Sequence, residues 1–261
     1  MQALHIAASG MLAQEMNVEV ISNNIANMRT TGFKKQRADF HDLLYQNIQQ
    51  VGSSTSQSGN LLPTGVQVGS GVRIAATPRI MSQGTIEATE KETDVAINGE
   101  GFFRVLTPDG RTAYTRDGSF ERSATGTLVT ADGYTVDPAI TIPSNATGLT
   151  INNQGLVQAV VGNATSSTTL GQIQLARFIN KTGLEAKSDN LFFETASSGA
   201  AQVGNPGDEG FGTLLQNQLE IANVNPVGEI ADLIAAQRAY EMNSRVIKAA
   251  DEMMSTAIQG H

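Results

Sequence analysis

The amino-acid sequence predicts an α+β fold, with discontinuous N- and C-terminal coiled-coil helices plus a β-rich central domain. Of the 26 glycines, 22 lie between Gly52 and Gly212, and six of the seven prolines share that stretch. Because glycine and proline break helices and mark turns, we expect helices outside this stretch and turns within it. Both ends of the chain repeat apolar and small residues at alternating spacings of three and four, which is typical of a coiled-coil seam.

The N-terminal repeat predicts a helix from about residue 2 to residue 27. Thr30-Thr31-Gly32 is expected to end it, because β-branched residues disfavour a helix and glycine adopts the left-handed conformation of a helix stop. The seam consists of Leu4, Ala7, Met11, Gln14, Val18, Ile21 and Ile25.

The C-terminal repeat predicts a second long helix, with Asn225 as its N-cap and Pro226 at its first position. Its seam consists of Leu233, Ala236, Tyr240, Asn243, Ile247, Ala250, Met254 and Ala257. Further apolar residues widen this stripe: Ile230, Ile234, Val246, Met253 and Ile258. A helix with so wide an apolar stripe needs more than one partner surface.

The middle of the chain predicts antiparallel hairpins or a small barrel. Short β-type runs are separated by the turn pairs Asp109-Gly110, Asp117-Gly118 and Asp132-Gly133. Twelve of the 13 aromatic residues lie between Phe33 and Phe211, so we expect the packed core there. After the alternating residues Val95 and Ile97, the expected strands cover residues 102–106, 112–116, 127–130, 134–136, 140–142, 149–151, 156–161, 173–178 and 191–195.

Residues 46–71 fit neither pattern, because they are poor in charge and rich in serine, glycine and glutamine. This composition is typical of a flexible or extended segment and fits a passive linker, while a length of about 25 residues is also compatible with a functional insertion. We therefore divide the chain into an inner helical domain (1–34 with 222–261), an extended segment (35–72) that holds the insert, and a β-rich outer domain (73–221).

Composition excludes several classes of function. The chain has 17 basic and 25 acidic residues, a net charge of −8, which argues against nucleic acid as a partner. It has no run of about 18 apolar residues, so no helix is expected to span a membrane. It has no cysteine, and its three histidines are too scattered for a zinc site. Its first residues lack the basic and apolar regions of a secretory signal.

The sequence contains no complete catalytic motif. Walker A, G-x-S-x-G and H-E-x-x-H patterns are absent, and Gly69-Ser-Gly71 lacks the third glycine of a dinucleotide loop. The Asp-Gly pairs lack the alternating acidic series of a calcium loop. We therefore expect a protein that is not an enzyme and that binds no cofactor and no metal.

Both ends of the chain resemble a known family. Asn23-Asn-Ile-Ala-Asn27 followed by Thr30-Thr-Gly-Phe-Lys34 resembles the N-terminal signature of the bacterial flagellar rod and hook proteins. Asn223-Val-Asn-Pro226 followed by Ala236-Gln-Arg-Ala-Tyr-Glu-Met-Asn-Ser244 is similar to their C-terminal signature. The two signatures appear in the family's order at opposite ends of the chain.

The centre of the chain extends this resemblance. Asp94-Val-Ala-Ile-Asn-Gly-Glu-Gly-Phe-Phe103 and Tyr114-Thr-Arg-Asp-Gly-Ser-Phe120 are similar to the family's central motifs. Chain length and residues 46–71, with Leu62-Pro-Thr-Gly-Val-Gln-Val-Gly69, resemble the distal-rod members. Hook members usually carry a larger outer region, and proximal-rod members usually lack the insert.

The resemblance implies a structural subunit of the flagellar distal rod, which self-assembles into a rigid helical tube that transmits torque and encloses the export channel. It implies a place in the periplasm-spanning rod and export by the flagellar type III system without a cleaved signal. The implied partners are further copies of the chain, proximal rod proteins, the hook or hook-junction protein, the P- and L-ring proteins and the export apparatus. Nucleic acid binding and membrane insertion are not expected. The alternatives are another flagellar axial protein or a secreted, stalked β-domain that binds a ligand.

We expect neighbouring copies to contact one another through the helical ends, which are largely unfolded until assembly supplies apolar surface. Tyr240 is expected to anchor this contact, and the alternative is that its ring is an ordinary core residue. Asn243 is expected to set the register, with a local cap as the alternative, and Asn27 is expected to end the first helix. The expected interface residues are Leu4, Ala7, Met11, Val18, Ile21, Asn23, Asn24, Ile25, Asn27, Thr31, Gly32, Phe33, Leu233, Ala236, Gln237, Arg238, Tyr240, Asn243, Ile247, Ala250 and Met254.

Overall fold

The computed structural model describes residues 2–49, 64–162 and 166–259, with side chains as far as residue 256. The chain divides into two compact units. Unit 1 is formed by the described parts of residues 1–25, 36–78 and 225–261, and unit 2 by residues 26–35 and the described parts of 79–224. Helical ends with a β-rich centre confirm the predicted α+β class.

Unit 1 contains both long helices, α1 (Gln2–Ala26) and α2 (Pro226–Gln259). The predicted start of α2 is confirmed, because the Asn225 side-chain oxygen accepts hydrogen bonds from the backbone N–H of Val227 at 3.2 Å and of Gly228 at 3.5 Å. Such a cap satisfies backbone donors that have no partner within the helix.

Unit 1 also contains a β arm, which we define as residues 39–49 and 66–76. Strand β1 (Asp39–Asp42) pairs with β4 (Val72–Ala76), and β2 (Tyr45–Gln49) pairs with β3 (Val66–Gly69), both antiparallel. The described flanks of the predicted insert therefore form strands. Its polar centre, residues 50–63, lies outside the described residues.

Unit 2 is built from antiparallel strands, as predicted. Nine of them form the largest sheet, and the others form a three-stranded sheet and two pairs. The strands are β5 (Ile86–Ala88), β6 (Val95–Asn98), β7 (Phe102–Leu106), β8 (Thr112–Thr115), β9 (Glu121–Arg122), β10 (Leu128–Val129), β11 (Thr135–Val136), β12 (Ala146–Ile151), β13 (Leu156–Val161), β14 (Ser167–Gln172), β15 (Leu175–Arg177), β16 (Glu185–Ala186), β17 (Leu191–Phe193), β18 (Gln202–Gly204), β19 (Thr213–Gln216) and β20 (Gln218–Glu220). In the largest sheet the order is β16-β17-β8-β7-β11-β10-β9, with β15 pairing both β7 and β18.

The expected strand over residues 140–142 is wrong. Thr141 forms only an isolated bridge with Thr127, although Ile140 and Ile142 are buried. Pro138 and Pro143 bracket this run, and proline lacks the N–H that a strand needs to continue its ladder. An apolar run can therefore contribute to the core without forming a strand.

The core of unit 2 has two main faces. Phe102 and Phe103 are neighbours in β7 and are both buried, yet their side chains lie in different clusters because successive side chains of a strand point to opposite faces. Phe103 packs edge-on against Phe120 at 5.0 Å between ring centroids. The larger cluster comprises Val95, Ile97, Phe103, Phe120, Leu128, Val136, Ile140, Ile142, Leu149, Ile151, Val157, Ala159, Ile173, Leu175 and Leu214. The core thus lies where the aromatic residues predicted it.

Unit 2 also buries a cluster of three charges. Glu220 accepts hydrogen bonds from Lys34 at 2.5 Å and from Arg116 at 3.1 Å, and all three side chains are at most 4% exposed. Burial lowers the pKa of Lys34 and of Arg116, and the Glu220 carboxylate opposes both shifts. The cluster joins the segment after α1, the end of β8 and the end of β20.

Candidate assembly surface

Helices α1 and α2 run antiparallel within unit 1. The Asn24 side-chain amide donates a hydrogen bond to the Glu229 carboxylate at 3.1 Å. At the other end of the pair, a Cβ atom added to Gly10 would lie 2.8 Å from the Asn243 amide nitrogen. As the residue number rises along α1 it falls along α2, so the helices lie side by side in opposite directions.

The buried face of this helix pair is narrow and lined mainly by small residues. Its buried members are Ala7, Ala13, Val20, Ile21 and Asn24 on α1, and Glu229, Ala236 and Ala250 on α2. Small residues allow the helices to approach closely, but each buries little apolar area. Ala13 and Val20 lie outside the predicted seam, so the buried face of α1 is rotated from the expected one.

Most of the predicted seam is half-buried in the single chain, while Tyr240 and Met254 are exposed. Tyr240 is 43% exposed and Met254 is 37% exposed. Asn23, Gln237 and Arg238 are exposed as well. The half-buried members are Leu4, Met11, Val18, Ile25, Leu233, Asn243 and Ile247. A core position for Tyr240 is therefore wrong for the single chain, and its ring is available to a neighbour.

Four expected interface residues lie in unit 2 instead. Asn27 accepts hydrogen bonds at 3.1 Å from both the backbone and the hydroxyl of Thr30, which supports its role in ending α1. Gly32 is buried at φ +68°, and a Cβ there would lie 2.6 Å from the backbone of Asp117. Phe33 is also buried, and Thr31 accepts a hydrogen bond from Asn190. Packing within unit 2 accounts for these residues, and we leave them out of the surface proposed below.

Asn24 is the most deeply integrated residue of the helix pair. It is 1% exposed, and its amide both donates to the Gln36 carbonyl at 2.8 Å and accepts from the Gln36 N–H at 2.9 Å. With its bond to Glu229, it joins three separate segments of unit 1. Sequence reasoning missed Glu229, because an acidic residue in the first turn of a helix is common for dipole reasons alone.

We predict that Asn24→Asp abolishes swimming, whereas Ser22→Asp leaves it nearly normal. The first change places a second carboxylate beside the buried Glu229, where like charges repel strongly. The second adds the same charge two positions away, at an exposed residue of the same helix that belongs to neither side of the proposed interface. The diameter of swimming haloes in soft agar, in cells that carry only the variant gene, measures both effects. Equal haloes for the two variants would contradict the role of Asn24.

A second apolar stripe runs along the exposed side of α2. It consists of Ala235, Ala239, Met242, Val246, Ala249 and Met253, at spacings of four and three. Met242 is 60% exposed, Val246 48% and Met253 66%. Methionine adapts its shape to a partner, and a continuous apolar stripe on a helix indicates a binding face. The expectation that α2 needs more than one partner surface agrees with this exposure.

The β arm also exposes apolar side chains. Leu44 is 89% exposed, Ile48 67%, Tyr45 56% and Val66 46%. A two-stranded ribbon is at best marginally stable alone in water. The arm is therefore a second surface of unit 1 on which a neighbour can pack.

Among the residues that the structure describes, no group of three or more histidine, aspartate or glutamate side chains is arranged to hold a metal ion. Neither of the two described helices is long and apolar enough to cross a membrane.

Three flagellar families match the chain in order. Residues 4–34 match the flagella basal body rod proteins, residues 96–159 match the D1 domain of the flagellar hook proteins FlgE/F/G, and residues 215–260 match the C-terminal region of the flagellar basal body rod FlgEFG proteins. Together these matches include both helices and the core of unit 2.

Curated relatives match over nearly the whole chain. The flagellar basal-body rod protein FlgG of Caulobacter vibrioides is 57% identical over 99% of both chains. FlgG of Agrobacterium fabrum is 50% identical over 98% of this chain and 97% of its own. FlgG of Bacillus subtilis is 37% identical over 99% of this chain and 98% of its own. The chain therefore belongs to the FlgG family of flagellar basal-body rod proteins.

Proposed function

We propose that this chain, a structural subunit of the flagellar distal rod, polymerises through α1 and α2 into an open helical tube. The tube acts as a drive shaft that transmits torque from the motor to the hook and encloses the export channel. The observation that carries this proposal is the apolar surface that α2 leaves exposed and that α1 leaves only half-buried. In a lone chain this surface meets water, and neighbouring copies can cover it.

The interface residues fall into two groups with different tasks. Ala7, Ile21, Asn24, Ala236, Asn243 and Ala250 hold the two helices together within one copy, and Asn243 sets the register of α2 against Gly10 of α1. The residues that contact neighbouring copies are Leu4, Met11, Val18, Asn23, Ile25, Leu233, Gln237, Arg238, Tyr240, Ile247 and Met254, together with the exposed stripe of α2. A contact between two different surfaces that does not close produces a filament of indefinite length.

In this proposal, α1 and α2 become fully ordered only when copies of the chain assemble. The small residues between α1 and α2 bury little area, so the pair alone gains little free energy to offset the entropy of ordering both helices. Neighbouring copies add the missing contacts, and folding is completed on binding. Once packed, the interfaces strain little under torque because protein interiors are close-packed.

The β arm is proposed to stiffen the rod by contacting a neighbouring copy, as part of the extended segment 35–72 between the inner and outer domains. Deleting residues 52–61, which lie outside the described residues, is expected to give bent rods or rods of abnormal length. Replacing the same residues with a glycine–serine sequence of equal length separates chain length from sequence. Electron microscopy of isolated basal bodies measures both, and straight rods of normal length after the deletion would favour a passive linker.

Partners and location follow from the same proposal. The subunit contacts the proximal rod proteins, the hook or hook-junction protein and the P- and L-ring proteins, and the flagellar type III apparatus exports it without a cleaved signal. It works as a structural part of the periplasm-spanning rod and not as an enzyme. The near-complete match to FlgG proteins supports the distal rod over the proximal rod, the hook or a stalked binding module.

A labelled copy tests this assignment directly. A short peptide tag in the exposed turn at Asp132-Gly133 and gold-labelled antibody locate the subunit in isolated basal bodies from cells without P and L rings. We expect gold along the distal part of the rod. Gold on the hook or on the proximal rod would show another axial protein, and gold on the cell surface would support a secreted binding module.

A further inference from the structure

Unit 1 carries a groove on the surface of its helix pair. The groove has a volume of about 510 Å³ and is lined by Glu15, Val18, Glu19, Gln237, Tyr240 and Glu241. Val18 and the half-exposed ring of Tyr240 contribute apolar surface to the groove, and three of its six lining residues are glutamates.

The charge of this groove is uncompensated within the chain. None of its six lining residues is basic, and no ion pair joins Glu15, Glu19 or Glu241 to another described residue. Carboxylates that share a groove repel one another, and a cation placed between them relieves that repulsion. An occupant of this groove therefore has an apolar surface and at least one positive charge.

Helix α2 presents such a surface two turns further along. Arg245 and Lys248 are exposed, are three residues apart on one face, and form no ion pair with any other described residue. The exposed Ala249 lies beside them and allows close approach. Glu15 and Glu19 are likewise about one helical turn apart, so paired cations face paired carboxylates at matching spacing.

We propose that the groove of one copy binds the Arg245–Lys248 turn of α2 from a second copy. Within one molecule the turn forms no ion pair with Glu15, Glu19 or Glu241, although Glu241 and Arg245 are only four residues apart on the same helix. The contact joins two different surfaces, so two joined copies keep one free groove and one free turn between them, and further copies can add at either end. This inference rests on the proposed function and names the partner of its assembly surface.

Charge reversal in the full-length chain tests the contact. One variant reverses the groove (Glu15→Lys with Glu19→Lys), and the other reverses the turn (Arg245→Glu with Lys248→Glu). Each variant alone is expected to raise the concentration at which polymer pellets by at least about tenfold, because like charges now face each other. An equimolar mixture is expected to polymerise within about threefold of the wild-type concentration, because each groove then meets a turn of opposite charge.

Recovery of polymerisation in the mixture would show that these charges act in a contact between copies, because mixing cannot repair a defect inside one copy. As a control, Glu87→Lys with Glu90→Lys makes the same change in net charge at exposed positions of unit 2 and should leave pelleting unchanged. The uncharged variant Glu15→Gln with Glu19→Gln should fold readily and weaken the dependence of pelleting on salt.

Three results would overturn the inference: a groove variant that pellets like the wild type, a mixture that does not recover, or an unchanged salt dependence in the uncharged variant. A wild-type chain that forms no open polymer would instead contradict the proposed function itself. The two failures are therefore distinguishable in one set of measurements.

Discussion

Glu220→Ala is expected to lower the free energy of unfolding of unit 2 by about 3–5 kcal/mol, the usual cost of removing one partner from a buried ion pair. The change leaves Lys34 and Arg116 buried without their shared carboxylate. It also removes the acceptor for the backbone N–H of Gly84, which now bonds the Glu220 carboxylate at 2.8 Å. Urea unfolding of the full chain, followed by circular dichroism of the β structure, measures the loss.

Glu121→Ala is the matched control, because it also removes one carboxylate that pairs with a lysine. Glu121 bonds Lys91, but its side chain is 58% exposed, and exposed pairs contribute only about 0–1 kcal/mol. If Glu220→Ala shifted the unfolding free energy no more than Glu121→Ala, the buried cluster would have no structural role.

Gly10→Leu is expected to abolish polymerisation and swimming while leaving the melting temperature of unit 2 unchanged. The amide of Asn243 occupies the space that a side chain at this position needs, so leucine forces α1 and α2 apart. The displaced helices can no longer present a single surface to a neighbour. Pelleting assays and swimming haloes measure the loss, and thermal unfolding measures unit 2.

Two companion variants make this prediction specific. Gly10→Ala should be mild, because the amide of Asn243 is the end of a side chain that can rotate away. Gly10→Leu combined with Asn243→Ala should recover part of the polymerisation, because it frees space for the leucine. Full swimming in the Gly10→Leu variant would contradict close packing of the helices at this level.

Local sequence signals predicted the fold class and the helices well. The heptad spacing and the pair Asn225-Pro226 located α2 to the residue at its start, because N-capping depends only on neighbours in the chain. The pairs Asp109-Gly110 and Asp132-Gly133 located the β7–β8 and β10–β11 hairpins for the same reason. The prediction for Asp117-Gly118 is wrong, because β8 and β9 on either side of it do not pair. The resemblance to the family motifs then indicated the function, because amino-acid composition and residue spacing alone do not specify it.

Contacts between distant parts of the chain could not be predicted. Lys34 and Glu220 are 186 residues apart, and Asn24 and Glu229 are 205 residues apart. No spacing in one sequence indicates such pairs. The buried face of α1 also differs from the predicted seam. Ala13 and Val20 are buried, and a heptad pattern is as compatible with these two residues as with those of the predicted seam. The place of Gly32 and Phe33 in the N-terminal family motif predicts that they belong to the interface, yet both residues pack inside unit 2.

Polymer growth by the purified full-length chain tests the central claim most directly. Sedimentation velocity at rising protein concentration, with far-UV circular dichroism on the same samples, follows mass and helix content together. We predict species that enlarge with no fixed end-point, accompanied by a gain in helical signal. A dilute chain that is already fully helical and stays monomeric at every concentration, or that stops at a closed dimer or trimer, would contradict the account.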